Sequence, residues 1–262
     1  DYEAHNNLGV SLQALEKFEE AETCYRKTTS LNPDFAEAHS NLGLTLQILD
    51  RLEESEISCR KAIALKPDFA QAHYNLAITL KELGRSEEAE ASYTRVIALK
   101  PNFAEAHYNS GNMFKELDRL QEAEASYTKA IELKPDYIEA YYNLGITHQA
   151  LGRLDEAEVI FRQAVALKPD YAEAHGNLGV SLKELGRLNE AQTSLRQAIA
   201  LKPNIAEAHY NLGITLQELG KLEEAETSYR EAIALNPTYT KAHDFLLWCL
   251  YLLDKKSLFF NE

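Results

Sequence analysis

Apolar residues recur along this chain at spacings of three and four, in two runs that return together every 34 residues. Between Ala70 and Leu83, the residues His73, Leu76, Ala77, Leu80 and Leu83 form one stripe. Between Ser86 and Leu99, a second stripe holds Ala89, Tyr93, Val96 and Leu99. Each run predicts an amphipathic helix, and the pair predicts a helix–turn–helix unit. The punctuation has the same period. All 7 prolines (Pro33, Pro67, Pro101, Pro135, Pro169, Pro203 and Pro237) keep that spacing, with a leucine two residues before each. The pattern predicts an all-α solenoid and a single array over 1–262. Its seven full repeats span about 2–35, 36–69, 70–103, 104–137, 138–171, 172–205 and 206–239, followed by a partial eighth over 240–262.

Side-chain sizes fit two helices packed closely. Gly9, Gly43, Gly111, Gly145, Gly179 and Gly213 share one repeat position with Ala77, and Ala21, Ala89, Ala123, Ala157, Ala191 and Ala225 share another with Ser55. A larger residue at either would push the helices apart. Gly84, Gly152, Gly186 and Gly220 suit a left-handed helix stop. Asp34 with Glu37, Asp136 with Glu139, and Asp170 with Glu173 have the spacing of a capping box. Glu22 and Arg26, Glu56 and Arg60, Glu158 and Arg162, and Glu226 and Arg230 are spaced for ion pairs one turn apart, so most charge belongs to a solvated helix face.

The net charge of −14 argues against a nucleic-acid partner, which would need clustered Lys and Arg. Cys24, Cys59 and Cys249 have no paired spacing, and a reducing, cytoplasmic setting is the expectation. The longest apolar run, Phe245 to Leu253, is too short to span a bilayer. No phosphate loop, metal spacing or nucleophile with its base stands out, so the chain reads as neither an enzyme nor a cofactor protein. His5, His39, His73, His107, His175, His209 and His243 sit at one repeat position, a whole repeat apart; packing suits them better than a shared metal. The opening Asp1-Tyr2-Glu3-Ala4 resembles the interior of the later stretch Asp136-Tyr137-Ile138-Glu139-Ala140, which suggests a piece of a longer array.

Leu8-Gly9, the small Ala21, the aromatic Tyr25 and the closing Pro33, recurring to the end of the chain, resemble the tetratricopeptide repeat. The resemblance implies a right-handed superhelix whose first helices line a concave surface, commonly holding an extended peptide or a partner's helix. There are departures. Histidine, or Tyr141, replaces the family's first-helix tryptophan, Ser110 replaces a leucine, and Cys59 and Leu195 replace the second-helix aromatic. The family's lysine clamp for a C-terminal carboxylate is missing, because Asn6, Ser40, Tyr74 and Tyr108 stand in its place. A receptor for chaperone C-terminal tails is therefore not expected.

On each first helix, the side opposite the stripe holds residues such as Gln71, Asn75, Ile78 and Glu82. Asparagine recurs there as Asn7, Asn41, Asn75, Asn109, Asn143, Asn177 and Asn211. Asparagine is a poor residue for a helix interior, so the recurrence needs a reason. One reason is an amide ladder that donates to, and accepts from, the backbone of an extended peptide. Such a ladder resembles the groove in the tetratricopeptide domain of O-linked N-acetylglucosamine transferases. The other is that each amide ties neighbouring first helices together. Beside the ladder stand Tyr74, Tyr108, Tyr142 and Tyr210, a residue type favoured at interfaces.

The far end is different. Phe245 takes the asparagine position, Leu247 takes the glycine position, and the helix is apolar nearly all round. A terminal repeat should present a polar outer face. Phe245, Leu246, Trp248 and Tyr251 are thus expected to face a following domain or a second copy, and Leu258-Phe259-Phe260 opens a further apolar segment. The leading expectation is a non-catalytic scaffold that binds a protein or peptide in the first-helix groove. The alternatives are a substrate-recruiting arm of a larger enzyme, and a homo-oligomer assembled through the apolar end.

Overall fold

A computed structural model describes residues 1–259, with side chains as far as Lys255. The side chains of Leu258 and Phe259, and Phe260 altogether, lie outside the described residues. Each predicted run is a helix, and the described residues hold no strand. The chain divides into two compact parts, Asp1–Lys134 and Pro135–Glu262.

In the first part the first helices are α1 (Tyr2–Ala14), α3 (Ala36–Ile48), α5 (Ala70–Glu82) and α7 (Ala104–Glu116). They alternate with the second helices α2 (Phe18–Leu31), α4 (Leu52–Leu65), α6 (Ser86–Leu99) and α8 (Leu120–Leu133). In the second part, α9 (Ile138–Ala150), α11 (Ala172–Glu184) and α13 (Ala206–Glu218) alternate with α10 (Leu154–Leu167), α12 (Leu188–Leu201) and α14 (Leu222–Leu235), and α15 (Thr240–Phe259) closes the series. Within each part, the core lies between the members of each pair and between successive pairs. Tyr25, Tyr93, Tyr127, Phe161 and Tyr229 are its largest fully buried side chains.

The close approach of paired helices is visible at Gly213, where an added Cβ would stand 2.5 Å from the Tyr229 ring. Ala77 holds the same position opposite Tyr93, so a ring can retreat far enough for one methyl but no more. Gly84, Gly152, Gly186 and Gly220 all take a left-handed φ of 72 to 75° after first helices. Glu16, Asp50 and Asp118 take the same conformation at equivalent turns. The four ion pairs one turn apart all form, and they join a wider lattice. Glu158, for example, accepts from Arg162 at 2.8 Å and from Arg187 of the next repeat.

Two local expectations change. The capping boxes are not used: the N-caps fall one residue later, on Phe35, Tyr137 and Tyr171, without side-chain cap bonds. Phe35 packs on Tyr2 and Tyr171 on Tyr142, and the aliphatic Ile205 takes the same cap position before α13. The repeated histidines do more than pack. In His39, His73, His107, His175, His209 and His243 the ring Nε2 donates to the carbonyl of the proline six residues earlier, at 2.9 to 3.0 Å. Each ring clasps the turn between repeats, a bond that the family's tryptophan could make only through its indole N–H.

Candidate functional site

The asparagines start from a common register and end in different surroundings. Asn75 is buried, 1% exposed, rather than on an open side. Its amide donates to the Ser40 carbonyl at 3.1 Å and lies 3.3 Å from the Ser40 hydroxyl, while Gln71 donates to its oxygen at 2.9 Å. Asn109 donates to the Tyr74 hydroxyl at 2.6 Å, and Asn177 to the Tyr142 hydroxyl at 3.1 Å. Asn41 approaches Asn6 at 3.4 Å. Each of these four amides reaches 35 residues back, to the residue just before the preceding repeat's asparagine. Asn41, Asn109, Asn143 and Asn177 remain half-buried, and Asn7 is exposed.

Asn211 departs from this register, and the residue 35 before it is Gly176. Its amide turns onto its own helix and donates to the Glu207 carbonyl at 3.0 Å; its oxygen accepts from Lys183 at 3.4 Å.

The tyrosines beside the ladder are structural anchors as well as surface. The Tyr74 ring packs on Tyr93 and Phe103, at 6.4 and 4.8 Å between centroids. Tyr142 packs on Phe161 and Tyr171, and Tyr210 on Tyr229 and Tyr239, at similar distances. Tyr108 packs on Tyr127 at 5.9 Å. Burial pushes the Tyr74 and Tyr142 phenols above their usual range, against the pull of the asparagine amides. Tyr74, Tyr108 and Tyr142 stay half-buried, and Tyr210 is buried.

The polar ends of the first helices are also cross-linked. Gln47 donates to Glu82 at 3.1 Å, Lys81 pairs with Glu116 at 2.7 Å, and Gln149 donates to Ser181 at 2.9 Å.

At the far end, α15 splits the four residues picked out in the sequence. Phe245 packs on Tyr210 at 5.6 Å and Tyr229 at 6.1 Å, and Leu246 joins the same core. Trp248 and Tyr251 stack on each other at 5.4 Å and remain 52% and 47% exposed, beside Leu247 at 66%. Among the described residues no helix is long and apolar enough to cross a membrane.

Family models described as Tetratricopeptide repeat match residues 2–35, 36–69, 70–103, 138–171 and 206–239. A related TPR repeat model matches 111–152 and 181–220. The chain belongs to the tetratricopeptide repeat family. A search of curated proteins returns no match. Among solved structures, the chain is similar to YrrB, described as a TPR protein with an unusual peptide-binding site. The identity is 27%, the TM-score 0.64, and the match covers 71% of this chain and 96% of YrrB. The MamA protein matches at 25% identity and a TM-score of 0.58, over 66% of this chain and 94% of MamA. PilF of Pseudomonas aeruginosa shares the fold, at 19% identity and a TM-score of 0.68, over 80% of this chain and 96% of PilF.

A tetratricopeptide array of this kind is a scaffold for protein interaction. The first-helix face offers half-buried amides, tyrosine hydroxyls and aliphatic side chains such as Ile78 and Val180. Such a surface has the donors and acceptors to hold a peptide backbone.

Proposed function

We propose that this chain is a non-catalytic scaffold that holds an extended segment of a partner protein along the first-helix face. The observation that carries the reading is the state of Asn109 and Asn177. Each amide donates one N–H to a tyrosine hydroxyl of the preceding first helix and remains half-buried. A primary amide has two donors and an acceptor oxygen, so the same side chain can brace the array and still meet a backbone carbonyl and N–H. The two roles set out for the ladder are therefore compatible at these positions. The half-buried Asn41 and the exposed Asn7 of the first part, and Asn143 and Asn211 of the second, add further amides, and the half-buried Tyr74, Tyr108 and Tyr142 supply flanking surface, with Tyr210 buried beneath it. Asn75 serves the array alone. The peptide-binding site described for YrrB lends support from a relative.

The test is the triple variant Asn109→Ala, Asn143→Ala, Asn177→Ala, assayed against extended peptides selected by display on the unmodified chain. Affinity should fall about tenfold or more, while the urea midpoint shifts little. Unchanged affinity with a large loss of stability would leave the ladder as structure only.

A second surface is favoured by the exposed stack of Trp248 and Tyr251 beside Leu247. A contiguous apolar patch on the outer side of α15 suits a second copy or a further domain. Sedimentation of the 262-residue chain against W248S/Y251S distinguishes them: association lost in the variant means a second copy, and a monomer throughout leaves the patch to another domain.

A further inference from the structure

Repeat six breaks the aromatic pattern of its neighbours at three places together. Repeats three, five and seven each pack a cluster of rings: Tyr74, Tyr93 and Phe103; Tyr142, Phe161 and Tyr171; Tyr210, Tyr229 and Tyr239. The corresponding residues of repeat six are Gly176, Leu195 and Ile205. A whole ring is missing at Gly176, and the other two rings have become aliphatic. The space is not refilled. A Cβ added at Gly176 would meet only the Ala198 Cβ, at 3.9 Å, and a cavity of about 430 Å³ including its open mouth lies between α11 and α13. Leu195, Ile205 and Val180 supply apolar walls, and Asn177 and Asn211 supply amides.

The contrast with repeat two is informative. Ser40 and Cys59 are small there as well, but Asn75 closes over Ser40 and bonds to it. Asn211 does not do this over Gly176: its amide bonds to the Glu207 carbonyl and lines the cavity, 7% exposed. Glu173 and Glu207 share the lining with Tyr142, Ala172 and Ala208. Two cations reach its edge, Lys202 pairing with Glu173 at 2.9 Å and Lys183 meeting the Asn211 oxygen at 3.4 Å, and Glu207 is left as the carboxylate without an ion pair among the described residues.

We infer that this cavity is a socket for one aromatic side chain, Tyr or Phe, of the bound partner segment, with a Lys or Arg beside it in that segment. The inference rests on the groove reading above and specifies what the groove selects. The shape argument is internal to the molecule. Sister repeats place a tyrosine ring at this spot from within, so a ring entering from outside finds a ring-sized space with aliphatic walls. The charge argument is the Glu207 carboxylate in the lining, beside the paired Glu173, which attracts a basic neighbour and repels an acidic one.

The experiment titrates the isotope-labelled 262-residue chain with three capped tripeptides, Lys-Tyr-Lys, Lys-Ala-Lys and Glu-Tyr-Glu, following backbone and asparagine side-chain amides by NMR. Lys-Tyr-Lys should shift Gly176, Val180 and the Asn211 side-chain amide, and bind at least about tenfold more tightly than either other peptide. Gly176→Tyr, which rebuilds the sister arrangement, should abolish those shifts. Gly176→Ala, which leaves most of the space open, should keep them and so controls for folding. Equal shifts from all three peptides along Asn109 and Asn177, indifferent to Gly176→Tyr, would overturn the socket and leave the groove standing. No shifts anywhere on the first-helix face would overturn both.

Discussion

The side-chain amide of Asn75 donates to the carbonyl oxygen of Ser40, 3.1 Å away on the preceding first helix. With Gln71 donating to its oxygen, Asn75 is satisfied on both sides and closed to a ligand. Asn109 occupies the same repeat position, reaches for a hydroxyl rather than a backbone oxygen, and stays half-buried. One sequence position thus carries two physical situations. Asn75→Ala should cost about 1–3 kcal/mol of folding stability, because it removes a buried bond to the Ser40 carbonyl, leaves the Gln71 amide without its acceptor and opens a gap at a site that is 1% exposed. Asn109→Ala should cost less than about 1 kcal/mol, since water can replace it. Urea unfolding of the two single variants measures the difference, and equal losses would contradict it.

Much of the fold was legible because helix, turn and crossing residue each repeat. Leu76, Leu80 and the Gly213-type contact follow from spacing and size alone, and Gly84 announces its left-handed turn. The capping boxes misled because Asp34 and Glu37 have the right spacing, while α3 takes its cap one residue later, on Phe35, as α13 does on Ile205. The asparagine face was half legible. Helical geometry gives the side of a helix, but whether Asn75 meets Ser40 depends on how far successive first helices are set apart, which no local pattern states. Gly176 was legible in principle. Lining up the repeats shows glycine, leucine and isoleucine where neighbours have rings, yet the tyrosines that are present draw attention away from the one that is missing.

The Tyr93 hydroxyl is buried with no hydrogen-bond partner among the described residues. Its counterparts are satisfied from the preceding helix: Tyr25 donates to Gln13 at 3.1 Å, and Tyr229 to Gln217 at 3.0 Å. The residue in the glutamine position of repeat three is Lys81, whose ammonium is drawn to Glu116 instead. Tyr93→Phe should therefore stabilise the chain by about 1 kcal/mol, while Tyr229→Phe should destabilise it by a similar amount. Lys81→Gln should make Tyr93→Phe unfavourable again. Chemical denaturation of these variants checks all three signs.

Glu16 turns with a φ of 59°, where four other repeats use glycine at about the same angle. A side chain with a Cβ pays for the left-handed conformation, and glutamate lacks the local hydrogen bonding that eases it for aspartate. Glu16→Gly should raise stability by about 0.5–1 kcal/mol, with a smaller gain for Asp50→Gly at the same φ. A loss at Glu16 would mean that the entropy of the added glycine in the unfolded chain outweighs the relieved turn.

Acid should unfold the chain in two steps of different origin. Burial holds the His39 imidazole below its ordinary 6.5, against the pull of its bond to the Pro33 carbonyl. Protonation then favours the unfolded chain, so this contribution is present above pH 6.5 and declines as the pH falls through that value. The second step belongs to carboxylates. Hydrogen bonds from Arg51, Arg85, Arg119 and Arg187 hold Glu54, Glu88, Glu122 and Glu190 below their ordinary 4.5. A carboxyl with a depressed folded pKa adds stability above the unfolded value, and loses it as the pH drops through the folded one. These groups are exposed, so salt near about 1 M should shrink the second step by screening and leave the first nearly unchanged. The quadruple variant Glu54→Gln, Glu88→Gln, Glu122→Gln, Glu190→Gln should flatten the second step alone, and His39→Gln the first alone. Urea midpoints measured across pH test both, and a variant curve that keeps both steps would refute the assignment.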